Sequence, residues 1–549
     1  RTLSSILGIK KGDIYNKELV TRKLQFNPKG GMDISGLYMD DGYLFFQINP
    51  IEIVVEGDSI DMEMRIYEGE QATINQVLIS GNERTSDHVI RRELSTIPGQ
   101  KFRRMDIIRT QQRLGQLGYF AADKIGQNIM PNEDKGTVDI EWQLEEQSND
   151  QVELSGGWGG YYGFVGTLGL TFNNFSLRNI PHFENWRTLP VGDGQSLSLR
   201  AQANGRNFQS YSFSFTEPWL GGRKPHSLTV SLNSSVQRSF YGSFDLNDES
   251  NPKLKVHSIT VGLGRMLEWP DNYFSLTNSV SYLRYILHNW NSGLGFSNGI
   301  ANSFTFNTTI ARNSIDNQMY PAEGSTISLS LTLTPPYSSF RSMDYATAEP
   351  AEKYKWIEFH KWMFDAKYYL PLTSNKKLVV EAKAHFGFIG SYSKGAGIGP
   401  FERFFVGGDG LAGGFNSFLL GQDVIGLRGY ENNVLTPPNY GQPPINRVPN
   451  SIEGGVVYNK FGLELRYPVT TGNAATIYLF GFTEAGNNWG NYAEFNPFKL
   501  YKSAGFGARI FMPAFGLIGL NWAYGFDSVI KGQPISGSQF HFTIGQQIR

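Results

Sequence analysis

The stretch LRGY, Leu427 to Tyr430, sets one arginine at the centre of a long run rich in glycine, proline and asparagine, spanning about 389–454. Just downstream, FGLELRYPV (Phe461 to Val469) alternates at period 2. Phe461, Leu463, Leu465, Tyr467 and Val469 share one face, and Glu464 and Arg466 share the other. A guanidinium grips a carboxylate in a planar, two-toothed way that an ammonium cannot reproduce. The chemistry open to these residues is therefore an ion pair between Arg428 and Glu464, with Glu484 as a further acceptor. On spacing alone two readings stand. Arg428 is a solvated loop residue, or the run folds back into a narrow interior and clamps its arginine there. In the second, Gly429 allows close backbone approach and Tyr430 packs alongside.

Other chemistry is sparse. The eight histidines, at 88, 182, 226, 257, 288, 360, 385 and 541, never fall at ligand spacing. HExxH, GxSxG and the phosphate-loop lysine pattern are missing. There is no cysteine, which removes disulfides, zinc–thiolate sites and thiol nucleophiles together. The expectation is a protein without catalytic residues, metal or cofactor, and not an enzyme. A formal net charge of -1 offers no general attraction for nucleic acid.

The elements that must position the pair come in two grammars. Residues 1 to about 148 mix helical and strand-like patterns. Within them ILGIKKGDIYNKELVTRKL parallels STIPGQKFRRMDIIRTQQRL, GYLFFQINP parallels GYFAADKIGQNIMP, and IDMEMRIYEGE parallels VDIEWQLEEQ. The second copy adds TINQVLISGNERTSDHVIRREL in front, with Ser86 and Asp87 as candidate caps. This predicts a partial module over 1–70, begun upstream of Arg1, and a complete βααββ module over 71–148.

From about Gln151 the pattern becomes short alternating segments to the end, such as QSLSLRAQA, STISLSLTL and FGLELRYPV. About 16 of them, with 14% aromatics and 62 glycines, read as an antiparallel transmembrane β-barrel over 149–549. No apolar run is long enough for a spanning helix. Short links are expected after even strands and long ones after odd, the LRGY run lying between the eleventh and twelfth. A water-soluble all-β domain is the competing reading, and it gives no reason for that asymmetry. GGWGGYYG supplies Gly156, Gly157 and Gly159 to the first strand. Phe540, Phe542, Ile544 and Gly545 lie in the last. Glycine weakens and bends strands, so a labile seam between first and last strands follows.

These motifs resemble, in order, those of the BamA-type outer-membrane assembly factors. LRGY is similar to the VRGF/VRGY signature, Gly454-Gly455 and FGLELRYP to its GG and following strand, and GFTEAGNNW to F-x-D-x-G-x-x-W. YKSAGFGARIFMPAFG resembles R-x-S-x-G-x-G with its later P-x-G, and FHFTIGQQIR the terminal strand. Lys502 stands where arginine is usual, Glu484 where aspartate is, and Ile548-Arg549 where an aromatic residue closes the chain. The family carries βααββ (POTRA) modules ahead of the barrel. The resemblance implies that Arg428 sits inside the barrel, on Glu464 and Glu484.

It further implies a Gram-negative outer membrane with the modules in the periplasm. Unfolded β-barrel substrates would be received by strand addition at module edges and templated at the seam. Periplasmic lipoproteins, chaperones and outer-membrane lipid are the implied partners. The modules read equally as passive spacers. A secretion transporter of the same superfamily and a passive diffusion pore are the alternatives.

Overall fold

The computed structural model describes all residues except 1, 11, 25–32, 58, 148–149, 160–162, 187–188, 205–207, 223, 239–250, 291–295, 318–319, 346, 409–422, 438–453, 472–474, 513–515, 530–533 and 545–549. The chain divides into two units: Arg1–Asp150 with Phe172–Ser196, and Gln151–Thr171 with Leu197–Arg549.

The first unit opens with helices α1 (Thr2–Leu7), α2 (Lys17–Leu24) and α3 (Ile34–Met39), then a hairpin of β1 (Gln47–Glu56) and β2 (Ser59–Tyr67). Ile6, Val20, Leu24, Ile34, Phe46 and Ile48 form its small core. Next come β3 (Thr73–Ser80), α4 (Asp87–Arg91), α5 (Arg104–Leu117), β4 (Gly126–Asn132) and β5 (Thr137–Gln143), in βααββ order. β5 lies between β3, which it pairs in parallel, and β4, which it pairs antiparallel. α5 buries Ile107, Thr110 and Leu114 on one stripe and ends at Gly118, whose φ of 71° few other residues tolerate. Strict alternation along β5 aims Val138, Ile140 and Trp142 into the same core. Ser86 takes the N-cap position of α4, but its side chain makes no capping bond.

In the second unit the strands are β6 (Gln151–Gly159), β7 (Gly163–Phe175), β8 (Gln195–Asn204), β9 (Phe208–Glu217), β10 (His226–Arg238), β11 (Lys253–Met266), β12 (Phe274–His288), β13 (Gly299–Asn313) and β14 (Gly324–Leu333). A one-turn helix α6 (Pro350–Lys353) precedes β15 (His360–Pro371) and β16 (Val379–Gly390). Two short strands, β17 (Phe404–Val406) and β18 (Asp423–Ile425), lie in the long loop. β19 (Val457–Thr471), β20 (Thr476–Trp489), β21 (Tyr501–Met512), β22 (Gly516–Gly525) and β23 (Gly537–Ile544) complete the chain. All but β17 and β18 form one 16-stranded sheet of sequential neighbours, β16 pairing directly with β19 across the loop. In it the β6–β7 pairing and every pairing from β9 to β23 are antiparallel. Among the described residues no ladder joins β6 to β23, so these are its two edges. No described helix is long and apolar enough to cross a membrane, which leaves crossing by strands open.

The two faces of the sheet differ as alternation requires. On β19, Phe461, Leu463, Leu465, Tyr467 and Val469 are exposed, while Lys460, Glu464 and Arg466 are buried. The loop's Phe401, Phe404, Val406, Ile425, Leu427, Tyr430 and Leu435 share one apolar cluster with residues from β9, β11, β12, β13, β16, β19 and β20. One loop can touch strands so far apart in order only if the sheet curls around it.

The expected length asymmetry holds from β9 onward. The short links 372–378, 472–475 and 513–515 follow even strands of the sheet. It fails earlier: the link 176–194 follows the second strand and is long, while the links 160–162 and 205–207 follow the first and third and are short. Expected within 149–549, this link groups instead with the first unit, because it bonds to the βααββ module. Ser86 N–H donates to the Gly192 carbonyl (2.9 Å), Asn174 Nδ2 to Thr85 Oγ1 (2.9 Å) and Tyr119 OH to the Gly194 carbonyl (3.2 Å).

Candidate functional site: a clamped loop inside the sheet

Inside the loop, β17 and β18 pair in parallel, and Gly408 bridges to Leu427. Phe404 also exchanges backbone hydrogen bonds with Gly455, and Gly454 N–H donates to the Pro437 carbonyl. Side chains satisfy further backbone groups: Asn488 Nδ2 donates to the Phe404 carbonyl and Val406 N–H to Thr436 Oγ1. In the described parts of the loop these bonds pair buried backbone groups, as burial demands.

It delivers Arg428 to the inner face with 1% of its surface exposed. Arg428 Nη2 donates to Glu464 Oε1 and to Glu484 Oε1, each at 2.7 Å, and the Arg428 N–H donates to Glu484 Oε2 at 3.0 Å. Nη1 reaches Asn521 Oδ1 at 3.4 Å. The guanidinium carbon lies 3.5 Å from the centroid of the Phe482 ring, so one plane is used for ion pairing and its face for a cation–π contact. Gly505 and Gly507 of β21 leave the space in which these rings lie: a Cβ at either would come within 2.7 Å of Phe482 Cζ or Phe480 Cζ respectively.

The residues beside Arg428 reach further. Gly429 N–H donates to His541 Nε2 (3.3 Å), and Ser536 Oγ donates to the Gly429 carbonyl (2.8 Å). Tyr430 OH donates to the Lys502 carbonyl (2.6 Å) and lies 3.2 Å from Asp527 Oδ2. Leu427 is wholly buried in the loop's apolar cluster. Four consecutive residues therefore join the loop to β19, β20, β21, β22 and β23.

Around Arg428 lies a buried charge network. Glu381 and Glu464 are direct cross-strand partners, a like-charged pairing that is unfavourable by itself. Lys383 Nζ sits 3.2 Å from Glu381 and 3.0 Å from Glu464, and Arg466 Nη2 bridges the same two carboxylates. Lys460 Nζ lies 3.2 Å from Glu484. Arg509 Nη1 donates to Asn521 Oδ1 at 2.8 Å.

A second clamp of opposite polarity holds the base of the loop. Here the strand supplies the cation: Lys361 of β15 lies 2.5 Å from Asp423 and 3.5 Å from Glu402, and it also donates to the Glu402 carbonyl (3.0 Å). Its ammonium also sits 5.0 Å from the Phe404 ring centroid. Lys361→Met leaves two half-buried carboxylates facing each other, a loss of about 2 kcal/mol after solvent screening. In a Val406→Cys background, the only thiol in the chain, labelling by a membrane-impermeant maleimide is expected to accelerate by about tenfold or more. An unchanged rate would show that Lys361 does not hold the loop down.

An Omp85 superfamily domain matches residues 191–548, and a surface antigen variable number repeat (POTRA) matches 72–147. The chain belongs to the Omp85 superfamily. Within that superfamily it is 24% identical over 510 residues to the outer membrane protein assembly factor BamA of Neisseria meningitidis, covering 89% of this chain. It is 25% identical over 522 residues to BamA of Nitratidesulfovibrio vulgaris, covering 93%. The chain spans 55% and 56% of those two relatives' lengths. In fold it is similar to the crystal structure of BamA from Haemophilus ducreyi lacking POTRA domains 1–3, with TM-score 0.63 at 17% identity over 99% of this chain and 97% of that one. It is also similar to CdiB from Escherichia coli, with TM-score 0.52 at 12% identity over 92% and 81%.

The structure brings Leu427, Arg428, Gly429, Tyr430, Glu464 and Glu484 together on this Omp85 sheet. Gly156, Gly157 and Gly159 lie in β6, and Phe540, Phe542 and Ile544 in β23, on opposite edges and unpaired with one another among the described residues. Gly545 lies outside the described residues. Sequence reasoning missed Glu381, Lys383, Lys460, Arg509, Asn521, Asp527, His541 and the Lys361 clamp. Period-2 alternation in VVEAKAHF would have put Glu381, Lys383 and His385 on one inner face. Nothing local marks Asn521, Asp527 or Lys361.

Proposed function

We propose that this chain is the membrane-embedded part, with its adjoining POTRA modules, of a factor that assembles β-barrel proteins into a Gram-negative outer membrane. The observation that carries this is the match of two assembly factors along about nine-tenths of the chain, module and sheet in the same order. The geometry fits: a curled sheet filled by an anchored loop is a poor diffusion pore, and its two edges are its first and last strands. Unfolded barrel precursors, handed over by periplasmic chaperones and accessory lipoproteins, add a strand to module edges such as β4. They then pair with the edge backbone of β6 or β23, whose polar groups must find partners in lipid. The loop clamp bonds to β23 through His541, so it sets the position of one side of that seam.

Depletion of the protein from its host tests the reading. A general loss of outer-membrane barrel proteins is the expected result. Loss of a single secreted product would identify a secretion transporter instead, and a large steady single-channel conductance would identify a pore.

A further inference from the structure

The link 176–194 is long where the sheet's other even-strand links from β9 onward are short, and its surface is unusual. Leu177, Ile180 and Phe183 are exposed, Phe183 at 74%, and Trp186 packs beside Phe183 with ring centroids 5.1 Å apart. Exposed Arg178, His182 and Glu184 flank them. Yet the link is tightly built. Ser176 N–H donates to the Pro190 carbonyl, Asn179 Nδ2 to the Val191 carbonyl, Trp186 Nε1 to the Asn179 carbonyl and Leu177 N–H to Gln195 Oε1, all at 2.6–2.9 Å. A segment that satisfies its own polar groups and turns its apolar side chains outward is made for a medium that offers no hydrogen bonds.

The chain itself says which medium. The link leaves β7 at Phe175 and re-enters the sheet at Gln195, and β7 and β8 carry exposed Leu168 and Leu199 on their outer face. Its apolar residues follow a lipid-facing strand within two to eight positions. Aromatic and aliphatic tips flanked by charged residues, two of them basic, suit an interfacial membrane segment.

We propose that this link is a membrane foot: Leu177, Ile180 and Phe183 enter the periplasmic leaflet while Arg178 and His182 meet lipid phosphates. Because the link bonds to Ser86, Thr85 and Tyr119 of the βααββ module, the foot fixes that module to the bilayer surface. The inference rests on the outer-membrane reading above, and the test separates the two.

The full chain lacks cysteine, so single-cysteine variants Phe183→Cys, Leu463→Cys and Glu133→Cys each take one environment-sensitive fluorophore. Each is reconstituted into phosphatidylcholine vesicles with or without brominated acyl chains. Labels at 183 and 463 are expected to lose emission about twofold in brominated lipid, as depths of roughly 5–10 Å imply. The label at the module's exposed 133 is expected to respond only to aqueous iodide. If 183 behaves like 133, or is shielded from both quenchers by protein, the foot is wrong. If 463 also ignores brominated lipid, the membrane reading itself fails.

Discussion

Replacing Arg428 by methionine is expected to lower the stability of the folded sheet by about 3 kcal/mol, and replacing it by glutamate by about 5 kcal/mol or more. The lower figure reflects the surroundings. Lys383, Lys460 and Arg466 already neutralise the two carboxylates in part, so the methionine variant does not strand a bare pair of anions. Charge counting alone would forgive glutamate, since five buried cations face three buried acids around the site. Position does not forgive it. The new carboxylate would occupy the place from which Arg428 reaches both acids at 2.7 Å, and Lys383 and Lys460 are already engaged on those same carboxylate oxygens. Lysine keeps the charge but loses the fork and the contact across Phe482, and should cost about 1.5–3 kcal/mol.

The measurement is the temperature at which the folded form, resolved from the unfolded one by electrophoresis of unheated samples, disappears. Growth of cells carrying each variant as the sole copy is the second readout. The expected order of severity is glutamate, methionine, lysine. Because Arg428 and Glu484 share two contacts, Arg428→Met combined with Glu484→Gln should be less damaging than the two losses added. A methionine variant as robust as the parent would remove the clamp from any account of this fold.

Much of this site could be read from the chain because alternation is a strong signal where one face meets lipid and the other a polar interior. β19 is the clear case, with Glu464 and Arg466 separated from five apolar neighbours. β20 hides the same geometry. Its inner face carries Tyr478, Phe480 and Phe482, so polarity does not alternate and the orientation of Glu484 was not legible. Those rings face inward, packed on Arg466 of β19, on Arg509 of β21 and on Arg428, which reaches Phe482 only when the loop returns. The module was legible through α5 and β5, where apolar spacing fits its period. α1 and α3 were less so, being six residues each and held by tertiary contacts such as Arg104 on Asp33. The grouping of link 176–194 with the module could not be seen at all, since it depends on backbone carbonyls of Gly192 and Gly194 that carry no sequence mark.

Gly429 is the second position where a small change should have a large effect. Its φ is 89°, a conformation that costs an L-residue about 1–2 kcal/mol. Strain is the lesser part. A Cβ there would lie 2.9 Å from the Gly525 nitrogen and 3.0 Å from both the Tyr524 carbonyl carbon and Ser503 Cβ. Two of those atoms are backbone of β22, fixed in ladders to β21 and β23, and cannot step aside. Gly525 answers Gly429 from the other side, since a Cβ there would collide with the Gly429 carbonyl oxygen. The two glycines serve one approach of loop backbone to strand backbone. Gly429→Ala is therefore expected to cost about 2–5 kcal/mol, overpacking added to strain. Gly525→Ala should be comparable, and the double variant less than their sum. Gly397 is the control: its φ is 65°, but its missing Cβ would meet nothing within 4 Å. Gly397→Ala should cost only the strain, about 1–2 kcal/mol. In the same melting assay, equal losses at 397 and 429 would mean that backbone conformation, and not the seating of the loop on β22, is what these glycines provide.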